Sequence, residues 1–237
     1  MANPRPHPPD DIDPLGEQIL DALRGNSAVD GVILGGGFAL RHYRDFRQTH
    51  DIDAWWGAGA TEHGKTAIRD AVEQVAAKNG FDFRERAWGD TLSYEILAAG
   101  TAQKVFSFQI STRDVQIDEP LESSWSPLRI ETLRDNVASK MNALVDRGAP
   151  RDFLDIYEIV SSELVSAEEC WRLWRIKNPA TPLSEARDKV LHKMEQIEAR
   201  RPLASLVAER QALAMQRRAF FKGPFLRDGY KINDLGW

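Results

Sequence analysis

The sequence predicts an α+β chain in which a mixed sheet flanked by helices is followed by a helical C-terminal region. Three observations carry that expectation. Short apolar or alternating runs bounded by turn residues recur between positions 31 and 112, helical periodicity is interleaved with them, and from Thr132 onward only helical patterns remain. The expected organisation is a flexible proline-rich arm at 1–14, a mixed-sheet core at 15–130 and a helical C-terminal domain at 131–237.

Each element has its own reason. The first fourteen residues hold five prolines, which lack the N–H that a helix or ladder needs. Leu15, Ile19, Leu20 and Leu23 then recur at helical spacing behind Asp13 and Pro14, and the helix is expected to end near Gly25. Gly31-Val32-Ile33-Leu34 reads as a buried strand that runs into the glycine turn 35–37. Phe38 to Tyr43 continues as a helix, and 51–56 (DIDAWW) alternates acid and apolar residues as a strand does. Lys65 to Lys78 is an amphipathic helix stopped by Asn79-Gly80. Strand-like runs follow at 81–86, 92–97 and 105–112, with turns at Gly89-Asp90 and Gly100. Thr132-x-x-Asp135 opens a helix over about 133–147 with a capping-box pair. Gly148 and Pro150 enforce a break, another helix starts near Arg151, and two or three more fill 166–221.

Composition narrows the function. A single cysteine, Cys170, excludes a disulfide framework and any cysteine-based zinc site, and the five histidines, His7, His42, His50, His63 and His192, show no ligand spacing. No run approaches the length of a membrane helix and no leader pattern is present, so a cytoplasmic protein is expected. The net charge of −5 conceals an asymmetry: residues 186–231 hold 11 Lys+Arg against 5 Asp+Glu, and the rest of the chain is strongly acidic. That basic stretch suits RNA phosphates or a set of solvated helix faces. Phe220, Phe221, Phe225 and Tyr230, interleaved with Lys222, Arg227 and Lys231, suit base stacking or docking of the chain end onto the core.

Two blocks carry chemistry. Asp51 and Asp53 are two apart on a strand and share a face, a pair of hard oxygen donors suited to magnesium. The glycine turn at Gly36-Gly37 lets backbone amides approach a phosphate, and Arg47 and Thr49 lie just ahead of the aspartates. Trp55 and Trp56 are expected to pack at the core and its rim. In the second block Lys140 and Arg147 are seven apart on one helix, with Arg151, Asp152 and Asp155 on the next. That set reads either as a clamp for a triphosphate or as an ion-pair network at a helix corner.

The two blocks together, Gly36-Gly37-Phe38-Ala39-Leu40 with Arg47-x-Thr49-x-Asp51-Ile52-Asp53 and then Lys140, Ala143-Leu144, Arg147 and Arg151-Asp152-x-x-Asp155, resemble the AbiEii/AbiGii-type nucleotidyltransferases, toxins of toxin–antitoxin and abortive-infection systems. The resemblance covers roughly residues 31–160. It implies a polymerase-β-type nucleotidyltransferase core that moves a nucleoside monophosphate from a nucleoside triphosphate to an acceptor hydroxyl, with RNA such as transfer RNA as acceptor and an antitoxin as protein partner. It further implies two magnesium ions on Asp51 and Asp53. Asp51, Asp53, Lys140 and Asp152 form the expected catalytic set. Gly36, Gly37, Arg47, Thr49, Arg147, Arg151 and Asp155 form the expected substrate-binding set.

Two departures from the family pattern stand out. Phe38 replaces the serine or threonine usual after the glycine pair. Gln109 occupies the strand where the superfamily carries a third carboxylate, leaving Glu95, Asp114 or Asp152 as substitutes. A non-catalytic nucleotide-binding protein, or a transferase acting on a small-molecule alcohol, are the alternative expectations.

Overall fold

A computed structural model describes residues 4–57, 61–112 and 115–227. Asp114, Asp228, Tyr230 and Lys231 therefore lie outside the described residues. The chain divides into two compact units with the boundary between Asn136 and Val137.

The first unit carries a mixed sheet whose described strands are β1 (Val32–Gly35), β2 (Asp51–Trp56), β3 (Asp82–Trp88), β4 (Thr91–Leu97), β5 (Lys104–Thr112), β6 (Leu121–Glu122) and β7 (Arg129–Ile130). Their order is β3-β4-β5-β2-β1-β7-β6. β2 lies antiparallel to β1 and parallel to β5, which places it at the centre of the sheet. The helices are α1 (Pro14–Leu23), α2 (Gly36–Arg41) and α3 (Glu62–Lys78), and α4 (Leu133–Asp146) begins in this unit.

Alternation along the strands sorts the sheet into two chemically different faces. Ile52 and Ala54 of β2, Phe106, Phe108 and Ile110 of β5, and Tyr94 and Ile96 of β4 are buried together with α1 (Ile19, Leu20, Leu23) and α3 (Ile68, Val72, Val75). The opposite face is polar. One row across it runs Gly35, Asp53, Gln109, Ser93, and the next runs Asp51, Ser107, Glu95, Arg84. Burial of the apolar face drives the unit together, at about 25 cal/mol for each Å² of apolar surface removed from water.

Local signals act where the sequence places them. The Asp13 carboxylate accepts the Leu15 N–H at 2.9 Å, and Pro14 starts α1. Thr61 Oγ1 accepts the Gly64 N–H at 3.2 Å and opens α3. Thr132 Oγ1 accepts the Asp135 N–H at 3.2 Å, but the Asp135 carboxylate takes the Ile117 and Asp118 N–H groups at 3.0 and 2.9 Å. The expected capping box is thus half cap and half tether for the loop after β5. The proline-rich segment forms neither helix nor strand over residues 4–13, and within it the His7 N–H donates to the His42 carbonyl at 2.8 Å.

His42, at the end of α2, is buried against Phe38 and Trp125. Its Nδ1 lies 3.0 Å from the Phe38 carbonyl, and Nε2 is buried with no hydrogen-bond partner among the described residues. Burial holds its pKa down from 6.5 to about 4, with the Arg41 charge acting in the same direction against the Phe38 carbonyl and Asp45. Between those two values the unfolded chain binds a proton that the folded chain refuses, so stability falls as pH drops from 6.5 towards 4. The loss expected from this residue is about 2–3 kcal/mol. Urea unfolding at pH 7 and pH 4.5 checks it: the gap between the two is wider in the wild type than in His42→Gln.

The second unit contains the rest of α4, then α5 (Pro150–Ser161), α6 (Ala167–Lys177), α7 (Leu183–Arg200) and α8 (Ala208–Phe220), continued by a π-type turn over Phe221–Phe225. Trp171, Trp174, Phe221 and Phe225 form its aromatic centre, and the Trp171 indole N–H donates to the Phe225 carbonyl at 3.0 Å. Cys170 is fully buried beside them, and burial pushes its thiol pKa well up. Phe221 and Phe225 are therefore core residues. Docking onto the core, rather than base stacking, is their role.

Candidate active site

The first block of candidate residues converges on one end of the polar sheet face. β1 delivers the chain to Gly36, whose φ of +59° turns it into α2. A Cβ at Gly36 would overlap the Asp53 carboxylate, so the turn backbone lies directly against that side chain. A Cβ at Gly37 would sit 3.0 Å from Arg47 Nη2 and 3.6 Å from Thr49 Oγ1. Thr49 Oγ1 donates to Asp51 Oδ1 and thereby orients it. Gly36, Gly37, Arg47, Thr49, Asp51 and Asp53 are therefore brought together.

Phe38 does not face this cluster. It is 2% exposed and packs against His42 and Trp125, so a hydroxyl at position 38 would point into the core. Position 37 is the one whose side chain would face Arg47 and Thr49.

Gln109 sits beside Asp53 in the parallel register, at the position expected for a third carboxylate, and its Nε2 lies 3.3 Å from Ser107 Oγ. Glu95 is on the same face but one strand further from Asp51, and Arg84 grips it at 2.6 and 2.7 Å. Among the described residues no group of three carboxylate, histidine or cysteine side chains forms a metal cluster.

Two residues that the motif pattern did not single out frame the glycine turn. The Glu131 carboxylate, 1% exposed, would lie 2.9 Å from a Cβ at Gly35. Asn136 Nδ2 donates both to Glu131 Oε2 at 2.8 Å and to the Gly36 carbonyl at 2.9 Å. Burial of a carboxylate and an amide directly ahead of and within the first turn of α4 is the signal that could have marked them. Trp55, on the same face as the aspartates, has its Nε1 against Gly35, so Gly35 must also lack a side chain.

The second block lies in the second unit and is held by its own ion pairs. Lys140 Nζ is 2.7 Å from Asp155 Oδ2, with the carboxylate 1% exposed. Arg147 is bidentate on Asp152 at 2.6 and 3.0 Å, and Asp152 also accepts the Ala149 N–H at 2.8 Å at the start of α5. The pairs Lys140–Asp155 and Arg147–Asp152 staple α4 to α5 across the break at Gly148. Arg151 is exposed on the first turn of α5. Among the described residues no helix is long and apolar enough to cross a membrane.

No curated protein matches the chain. The family described as nucleotidyl transferase AbiEii toxin, type IV toxin–antitoxin system, matches residues 18–223, a span that takes in both blocks and runs from α1 to the turn after α8. That span is most of the 237 residues, and the chain belongs to the AbiEii nucleotidyl transferase toxin family.

Proposed function

We propose that the chain transfers a nucleoside monophosphate from a nucleoside triphosphate to an acceptor hydroxyl on RNA, releasing pyrophosphate, with magnesium held by Asp51 and Asp53. The observation that carries this reading is the apposition of Asp53 and the Gly36 backbone, where a side chain at position 36 would fill the space in front of the carboxylate.

The donor set fits magnesium. Asp51 and Asp53 supply two hard oxygens from one strand face, Gln109 beside them offers a neutral amide oxygen, and magnesium keeps several waters. When bound it would lower the pKa of an attacking hydroxyl and offset charge on the leaving pyrophosphate. The chain's own work is positioning. Thr49 fixes Asp51 through its hydroxyl, Asn136 fixes the Gly36 carbonyl, and Gly37 leaves Arg47 access to an anion at the turn. Lys140, Arg147 and Arg151 are assigned to phosphates on the family resemblance. In that assignment Asp152 and Asp155 are positioning residues, because each holds one of those cations.

One observation favours a second reading. Gln109 in place of a carboxylate suits a nucleotide-binding protein without transfer activity. Calorimetric titration of each of the four ribonucleoside triphosphates, with and without magnesium, separates the two when combined with a transfer assay. One triphosphate is expected to bind with magnesium and to bind at least about tenfold more weakly to Asp51→Ala/Asp53→Ala. Binding without transfer would establish the second reading, and absence of binding would defeat both.

A further inference from the structure

The second unit contains a cleft unlike anything in the candidate active site. Its larger part, about 410 Å³, lies among α5, α7 and α8 over an apolar floor that includes Leu154, Met194, Ile197, Leu206 and Leu213. Pro150, Ile197 and Arg201 also line a second hollow, of about 300 Å³, at the C-terminal end of α7. Among the described residues no acidic side chain lines either hollow. Lys193, Arg200, Arg201 and Arg210 line them and carry no ion pair among the described residues, whereas Arg217 and Arg218 are set near Glu158 and Glu198.

α8 adds a second observation. It is 13 residues long and buries none of them, although Leu213, Ala214 and the following Phe221 recur at helical spacing towards the cleft. Leu213 is 41% exposed. A helix with an apolar stripe and no buried residue normally gains its stability from a packing partner.

We infer that this cleft is a docking groove for an acidic amphipathic helix of a partner protein. The charge balance selects an anionic occupant: four unpaired cations surround the floor in a chain whose net charge is −5. The floor selects a peptide over a nucleic acid. Single-stranded RNA is held by exposed aromatic faces, but the aromatic side chains here, Phe153 and Phe221, are 6% and 1% exposed and packed edge to face on each other. What remains accessible is aliphatic, the surface on which side chains at i, i+3, i+4 and i+7 of an amphipathic helix lie. α8 lines the cleft from Arg210 to Phe221, about 16 Å, which matches about three turns of a partner helix.

The probe is a fluorescent peptide of about 18 residues with a single leucine stripe and glutamates on its other faces, titrated by anisotropy against the full chain. Saturable binding that weakens with salt is expected. Arg201→Glu/Arg210→Glu and, separately, Leu213→Asp should each weaken it by about tenfold or more, with unchanged circular dichroism and melting temperature. A peptide of the same composition with its leucines scattered around the helix should bind about tenfold more weakly or worse. Equal binding of the scattered peptide, or no binding of either, would overturn the inference. Displacement by a single-stranded RNA oligomer, lost in the same variants, would make the cleft a nucleic-acid site. Sedimentation showing a dimer dissolved by Leu213→Asp would give it to a second copy, and peptide binding only after removal of residues 228–237 would give it to the chain's own end. Each of those results counts against an external protein helix.

Discussion

Gly36→Ala is expected to lower nucleotidyl transfer by about a hundredfold or more and to destabilise the protein by about 2–4 kcal/mol. Two costs coincide at this position. The backbone sits at φ +59°, a region an alanine enters only with strain of about 1 kcal/mol. The added methyl would also meet the Asp53 carboxylate, and neither side can yield easily. Asp53 is on the central strand, paired to Gly35 on one side and Gln109 on the other. The turn itself is anchored by Asn136 on the Gly36 carbonyl. Relief therefore requires a shift of the carboxylate or of the turn, and a displacement of about 1 Å at a reacting centre is costly in rate. Thermal unfolding and a single-turnover transfer assay on the same preparation check both effects. Wild-type turnover in the variant would remove the turn from the site.

Lys140→Met is expected to cost about 3–5 kcal/mol of stability, more than a surface ion pair contributes, because Asp155 is 1% exposed and its partner sits at 2.7 Å. Loss of activity in that variant alone would not assign Lys140 to a phosphate, since a partly unfolded helical unit explains it equally well. The double variant Lys140→Met/Asp155→Leu removes both charges and is expected to recover most of the lost stability. Transfer should remain absent in the recovered protein, with triphosphate binding weakened. Recovery of transfer together with stability would give the pair a structural role only. Denaturant unfolding supplies the stability axis, and triphosphate titration supplies the other.

Much of the fold was legible because its strongest elements advertise themselves locally. β2 could be read to its ends from the alternation of acid and apolar residues, and α1 from Asp13 and Pro14. β6 and β7 could not, being two residues each and defined by pairing to β1 and to one another rather than by any period of their own. The same contrast applies to the candidate site. Asp51 and Asp53 are two residues apart in sequence and stand together by strand geometry alone. Glu131 and Asn136 reach the glycine turn only because α4 starts where the sheet ends, a tertiary fact with no local signature. Phe38 was misleading for a related reason. Neighbouring positions on a short helix point in different directions, so the residue that follows the glycines is in the core and Gly37 faces the site. Asp135 was half legible: its amide is capped by the Thr132 hydroxyl as expected, while its carboxylate answers to a loop 17 residues away.

The burial of Cys170 turns the chain's single thiol into a silent one. A disulfide-exchange reagent needs the thiolate, and a thiol whose pKa is pushed up inside the Trp171 and Phe225 cluster reacts only when that cluster opens. The rate at which the native protein takes up such a reagent thus becomes a clock for opening of the helical unit, with no label needed. Conversely, a cysteine introduced at an exposed position such as Leu213 would be modified alone, leaving Cys170 untouched and giving a single attachment point for a dye on the unpartnered face of α8.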